Sequence, residues 1–317
     1  MRNKKYTYPI GIDGKEITIP SALMADEALI LKKFTNNLLP VIEHFSKNGL
    51  TQEQYILAVT KDRSLPDMSP NTIISRVEDS YKKLEEKLAK NGIKLNEHIT
   101  LDDYIQAAVK QPSLFRWSPD KVVNNASNVY DYFETKFGKN TLQEKNITFI
   151  KYLKETIKKN PSLLYQNPQT LINNIEDVGK YFEGNGEPQN KKLKMEDEGY
   201  NFKDKGFKLV DYFEAAIKYP TLFIQTPQKT IDNIEIISTM YLKELFAFYP
   251  QGWKPKDFKP QKPDPNDLSP VFNYIFHSPD KLGLSSANLK TRMLASYFIK
   301  RDNNGITPST SVLHGKS

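Results

Sequence analysis

The chain has 317 residues, no cysteine, 38% hydrophobic residues and a formal net charge of +7. The missing thiols exclude disulfides, thiol catalysis and cysteine-ligated zinc or iron–sulfur centres. No apolar stretch approaches the roughly 20 residues that cross a bilayer, and no apolar region follows the basic Met1–Tyr8, so neither a membrane span nor a secretory leader is predicted. A cytoplasmic location fits this composition; an export signal of another kind would leave it unchanged. The four histidines, His44, His98, His277 and His314, never pair at metal-ligand spacing. No metal site, cofactor or catalytic constellation is predicted, and the protein is read as a non-enzyme.

In chain order, residues 1–50 are predicted to cap one end. The text YTYPIGIDGKEITIP alternates apolar residues around Asp13-Gly14, which fits a small β-hairpin, and a helix is expected over 22–47. Residues 51–250 carry an internal repeat. Four segments begin at Tyr55, Tyr104, Leu153 and Tyr212 and align without gaps over their central portion. The second reads YIQAAVKQPSLFRWSPDKVVNNASNVYDYF and the third LKETIKKNPSLLYQNPQTLINNIEDVGKYF. Pro70, Pro119, Pro168 and Pro227 are equivalent, in steps of 49, 49 and 59 residues. The longer step contains the polar insertion 184–206, with its basic run Lys191-Lys192-Leu193-Lys194 followed directly by acids. A Pro/Lys-rich linker follows at 251–270, then a partial fifth copy at 271–300, and 301–317 is predicted to be a disordered tail. The fifth copy is incomplete, which leaves open a native chain running past Ser317. The terminal HGKS is not a phosphate loop, because Thr310 stands where that pattern needs glycine.

Each copy decodes as two helices and a tight joint. The first helix, with Tyr104, Ile105, Ala108 and Val109 on one face, is expected to end near Lys110, because the residue before Pro112 is pushed out of the α region. A short turn then plugs Leu114 and Phe115 into the core. Ser118-Pro119 opens the second helix, as do Ser69-Pro70, Asn167-Pro168 and Thr226-Pro227. The Ser, Asn or Thr oxygen suits an N-cap and proline suits the next position. Val122, Ala126, Val129 and Phe133 form its buried face, answered by Leu171, Ile175, Val178 and Phe182. Such pairs bury both faces only when neighbours stack. The predicted fold is therefore all-α: an α-solenoid of about four to five helix-pair repeats with a period near 49 residues.

The unit's grammar, a P-S-L-L-like plug, a capped Ser/Asn/Thr-Pro and an apolar helix, resembles the helical repeats of the mitochondrial transcription termination factor (mTERF) family. The likeness covers residues 55–245. It rests on Pro112, Leu114, Phe115, Pro161, Leu163, Leu164, Pro220, Leu222 and Phe223, though the period here is longer than is usual there. The resemblance implies a superhelix with a basic groove for double-stranded nucleic acid. The matching residues are all structural, so no contact residue carries over.

Three sets of equivalent positions are candidate binding residues. Lys61, Lys110, Lys159 and Lys218 recur at the end of each first helix. They could form a phosphate ladder, or simply answer each helix dipole. Asn125, Asn174 and Asn233, with Arg76 in the first copy, could read bases or satisfy neighbouring backbone. Arg116 and Trp117 lie in the joint, where the copies differ and where partner specificity could sit. These residues predict a non-enzymatic binding module that takes a macromolecule on one basic face. Nucleic acid is the partner expected; the alternative is a protein-protein interaction scaffold or a bacterial effector module.

Overall fold

A computed structural model describes residues 5–8, 17–20, 33–184, 205–242, 268–277, 279–285 and 288–289. The protein is all-α apart from one two-stranded antiparallel ribbon, β1 (Lys5–Tyr8) against β2 (Ile17–Pro20), with Lys5 opposite Pro20 and Tyr8 opposite Ile17. The chain divides into two compact units, Met1–Gln169 and Thr170–Ser317. Most of the predicted insertion and linker, part of the predicted fifth copy and all of the predicted tail lie outside the described residues.

In the first unit, α1 (Leu39–Ser46) follows one π turn, and α2 (Gln52–Lys61) begins the first copy of the repeated text. The long helix α3 (Pro70–Ala89) completes that copy. The second copy supplies α4 (Leu101–Lys110), the single turn α5 (Ser113–Arg116) and α6 (Pro119–Phe137). After a short α7 (Lys139–Glu144), the third copy opens with α8 (Phe149–Lys159) and a 3-10 turn at Pro161–Leu164. First helices pack on first helices, α2 on α4 and α4 on α8, while α3 packs on both α1 and α6. Helix α4 stops at Lys110 as the following Pro112 requires, and Leu114 and Phe115 are wholly buried.

Caps show how local chemistry sets these boundaries. Thr51 and Thr100 each close a capping box, with Gln54 and Asp103 respectively, and Thr148 accepts from the Lys151 N–H. These threonines start the first helices, a signal absent from the sequence reading. At the second helices, Ser69 Oγ accepts from the Thr72 N–H, and Asn167 Oδ1 accepts from Gln169. Ser118 departs from expectation. Its backbone has cap geometry, but its hydroxyl makes no capping hydrogen bond, so proline at N1 and the extended φ/ψ start α6 without it.

The second unit holds most of α9 (Pro168–Phe182), then α10 (Leu209–Lys218), the 3-10 turn Pro220–Phe223, α11 (Pro227–Leu242), α12 (Ser269–His277) and the turn Pro279–Gly283. Helix α12 packs on α10 and α11. An aromatic cluster of Phe182, Phe207, Phe272 and Phe276 fills the space between them. Leu222 and Phe223 are the buried plug here, as Leu163 and Leu164 are in the turn before α9.

Candidate functional site: a basic cleft around Trp117

The first helices end in lysine at each copy, and the lysines do not all meet the same fate. Lys110 Nζ donates to the Lys158 carbonyl at 3.2 Å, in the last turn of α8. It therefore answers the negative end of the neighbouring helix. Lys159 pairs with Glu155 at 2.7 Å, and Lys218, in the second unit, pairs with Glu214 at 2.8 Å, both one turn back on their own helices. Lys61 is exposed. The row is thus partly engaged by backbone and by in-helix acids, which lowers its capacity for phosphates.

In the second unit the asparagine column is bonded to backbone, with Asn174 half-buried and Asn233 buried. Asn174 donates to the Phe223 carbonyl at 2.8 Å. Asn233, with no exposed surface, donates to the carbonyls of Leu282 and Leu284 at 2.9 and 3.0 Å. Each carbonyl belongs to, or directly follows, the short turn of the next copy. Asn125 is also buried, but its amide nitrogen has no hydrogen-bond partner. A buried side chain held this way cannot reach a base edge.

Arg76 occupies the same repeat position in α3, and its longer side chain changes the outcome. Its Nη1 donates to the Arg116 carbonyl, at the end of the turn α5, as the asparagines do to theirs. The rest of the guanidinium extends beyond that bond into an open cleft of about 450 Å³, lined by Ser64, Met68, Arg76, Arg116, Trp117, Ser118 and Lys121. That lining carries three cations, one indole and no carboxylate. Arg116 Nη1 donates to Asp62 at 3.3 Å and to Ser64 Oγ at 2.7 Å, and Asp62 in turn accepts from the Ser64 N–H and hydroxyl. This anchors one edge of the guanidinium. Among the described residues, the Nε and Nη2 groups of Arg76 and Arg116 have no hydrogen-bond partner.

Trp117 lies at the centre. The Lys121 ammonium sits 3.3 Å from its ring centroid, and Tyr165 lies beside it at 5.8 Å with the planes tilted by 49°. A cation over an exposed ring is worth about 0.5–1 kcal/mol, so the contact is easily exchanged. Sequence reasoning chose Arg76 as a member of the asparagine column and Arg116 and Trp117 as variable joint residues, and the fold brings them together. It missed Lys121 and Ser64. The spacing from Trp117 to Lys121, one turn across a helix start, was the available signal.

The lysines of the second-helix face are held by acids on a neighbouring helix. Lys83 and Lys87 of α3 pair with Asp120 and Asp131 of α6, and His44 of α1 pairs with Glu78 of α3. Lys83 and Lys87 are therefore neutralised in place, whereas in the cleft Arg116 is paired with Asp62, and Arg76 and Lys121 have no acid partner among the described residues. Among the described residues no group of three or more His, Asp or Glu is placed to hold a metal ion, and no helix is long and apolar enough to cross a membrane.

Comparison with protein-family models, curated proteins and solved structures gives no match to this chain.

Proposed function

We propose that the chain is a non-enzymatic helical-repeat binding module, built from copies of one helix-pair unit of about 49 residues, that binds nucleic acid on the basic face around Trp117. One observation carries the reading: the unpartnered guanidinium edges of Arg76 and Arg116 and the ammonium of Lys121 surround an aromatic face in an open cleft without acid in its lining. Arginine forks suit phosphate oxygens and aromatic rings suit bases. The repeat grammar, with its likeness to mTERF-type units, supports the same partner class, and so does the position of the cleft at the joint between two copies, where the text varies. In the repeat reading, side chains at equivalent positions tie each copy to the next; the Asn174 and Asn233 amides support this by bonding 49 residues ahead.

A protein scaffold or effector module is the second reading. It is supported by exposed Leu57, Tyr132 and Ile224, but these lie on separate elements, and single exposed apolar residues are ordinary.

The test is fluorescence anisotropy with labelled single-stranded and duplex oligonucleotides. Binding through three cations predicts a log–log salt slope of roughly −2 for a single strand, or about 15-fold loss between 50 and 200 mM salt. The pair Arg116→Glu and Lys121→Glu should remove the binding. Absence of binding to any oligonucleotide at low salt rejects the reading.

A further inference from the structure

The cleft's geometry points to single-stranded nucleic acid as the ligand: we infer that one unpaired base stacks on the Trp117 indole in place of the Lys121 ammonium, while the flanking phosphates take Arg76, Arg116 and the displaced Lys121. This rests on the nucleic-acid reading above and narrows it.

Three features favour an unpaired base over a duplex. First, the recognition surface is a ring face, and a base inside a duplex already has both of its faces covered by neighbours. Only a base free of its stack can present its own face to an indole. Second, the cleft is a local, open hollow of about 450 Å³, with room for a single base rather than a surface that tracks a duplex. Duplex binding through phosphates alone asks instead for an extended cationic row, and three of the four lysines proposed for one are bonded to Lys158, Glu155 and Glu214.

Third, the groups around the ring are arranged for exchange. Lys121 is exposed on the first turn of α6 and its ammonium contacts the ring without an acid partner. Its flexible stem lets the charge swing from the ring face to a phosphate beside it, so it holds the face free of water before binding and gains an ion pair after. Arg76 and Arg116 cannot swing in this way. Arg76 is tied to the Arg116 carbonyl, and Arg116 to Asp62 and Ser64. Both keep one free edge in a fixed position, the condition for orienting phosphates. Tyr165, tilted against the indole, adds a second aromatic ring beside the stacking surface.

The chain has two tryptophans, so Trp253→Phe leaves Trp117 as the only indole reporter in the full-length protein. The experiment titrates this variant with three labelled oligomers of equal length, reading anisotropy and tryptophan emission together: oligothymidylate, a duplex, and an abasic strand that keeps phosphates but lacks bases. The inference expects oligothymidylate to quench Trp117 to a saturating plateau. It also expects the abasic strand to bind about tenfold more weakly without quenching, and the duplex to leave the emission unchanged. In the otherwise native chain, Trp117→Ala should weaken oligothymidylate about tenfold and Trp117→Phe should restore most of the loss. If oligothymidylate raises anisotropy without changing Trp117 emission, or the abasic strand binds equally well, the stacking inference is wrong and the nucleic-acid reading stands. If no oligomer changes anisotropy, both fall.

Discussion

The side-chain amide of Asn174 donates to the main-chain carbonyl of Phe223, 49 residues further along the sequence, at 2.8 Å. The same bond recurs from Asn233 to Leu282, again 49 residues ahead, at 2.9 Å. A carbonyl at the end of a short turn has no intrahelical partner, and in a packed joint water cannot supply one. The amide does so from the neighbouring copy. In both cases donor and acceptor stand 49 residues apart in the chain.

Removing these donors should cost stability unequally. Asn233→Ala removes two hydrogen bonds from a site with no solvent exposure, orphaning the Leu284 carbonyl while Leu282 keeps its bond from Gln225, and is expected to cost about 2–3 kcal/mol. Asn174→Ala should cost about 1–2 kcal/mol. Asn125→Ala, whose buried amide nitrogen has no partner to lose, should cost the least of the three. Urea unfolding midpoints of the three variants give this order; a loss at Asn125 equal to that at Asn233 would contradict it.

The lysine row and the cleft make opposite predictions for nucleic-acid affinity. Changing Lys110, Lys159 and Lys218 together to Gln removes one carbonyl contact and two in-helix ion pairs. Each such pair is worth about 0.3–0.5 kcal/mol of helix stability. Oligonucleotide affinity should fall less than threefold. Lys121→Gln alone, by contrast, should lower the salt slope by about 0.7 for a single strand. Should the triple change abolish binding while Lys121→Gln leaves the slope intact, the phosphates lie along the row and not at Trp117.

How far the sequence could be read follows from the range of each interaction. The prolines at 112, 119, 161 and 168 act on their own backbone, so the ends of α4 and the starts of α6 and α9 were legible. So were the buried plugs Leu114-Phe115 and Leu222-Phe223, because an apolar pair between two helices has nowhere else to go. The role of Arg76 was not legible. Its bond to the Arg116 carbonyl depends on how one copy sits against the next, and an arginine in an asparagine column looks like simple divergence. Lys121 was missed for a related reason: its ring contact exists only once the helix start fixes where Trp117 points. Ser118 shows the reverse limit, since a residue type suited to capping does not oblige its hydroxyl to cap.

High pH should unfold the protein through its buried phenols. Burial raises Tyr104 from 10.0 to about 12, eased by Ser80, and pushes Tyr55, Tyr152 and Tyr212 up as well, the latter two eased by Thr156 and Thr230. The folded state holds these protons more tightly than the unfolded state does. Their contribution is therefore complete below pH 10 and is lost as pH climbs through the raised native values. Absorbance at the phenolate band should show the exposed tyrosines ionising near 10 and a second, cooperative step coincident with loss of the helical circular-dichroism signal. Separate early ionisation of all the tyrosines, with helicity intact, would mean these four are not buried.

Asp232 offers the same test in the acid range, with a stabilising substitution as its readout. Its carboxyl is raised above 3.8, chiefly by burial, and the hydrogen bond from Gln228 at 2.7 Å recovers only part of that cost. The native state again binds the proton more tightly, so the group's contribution is greatest below pH 3.8 and is lost as pH rises through its native value. At neutral pH the ionised carboxylate is accordingly a liability. Asp232→Asn keeps an Oδ1 acceptor for Gln228 and removes the charge, so it should raise the melting temperature at neutral pH. The gain should shrink as pH falls, because the wild-type carboxyl then becomes neutral itself. A melting temperature lowered by the substitution at neutral pH would show that the charge is needed, and would direct attention to a cation that Asp232 serves.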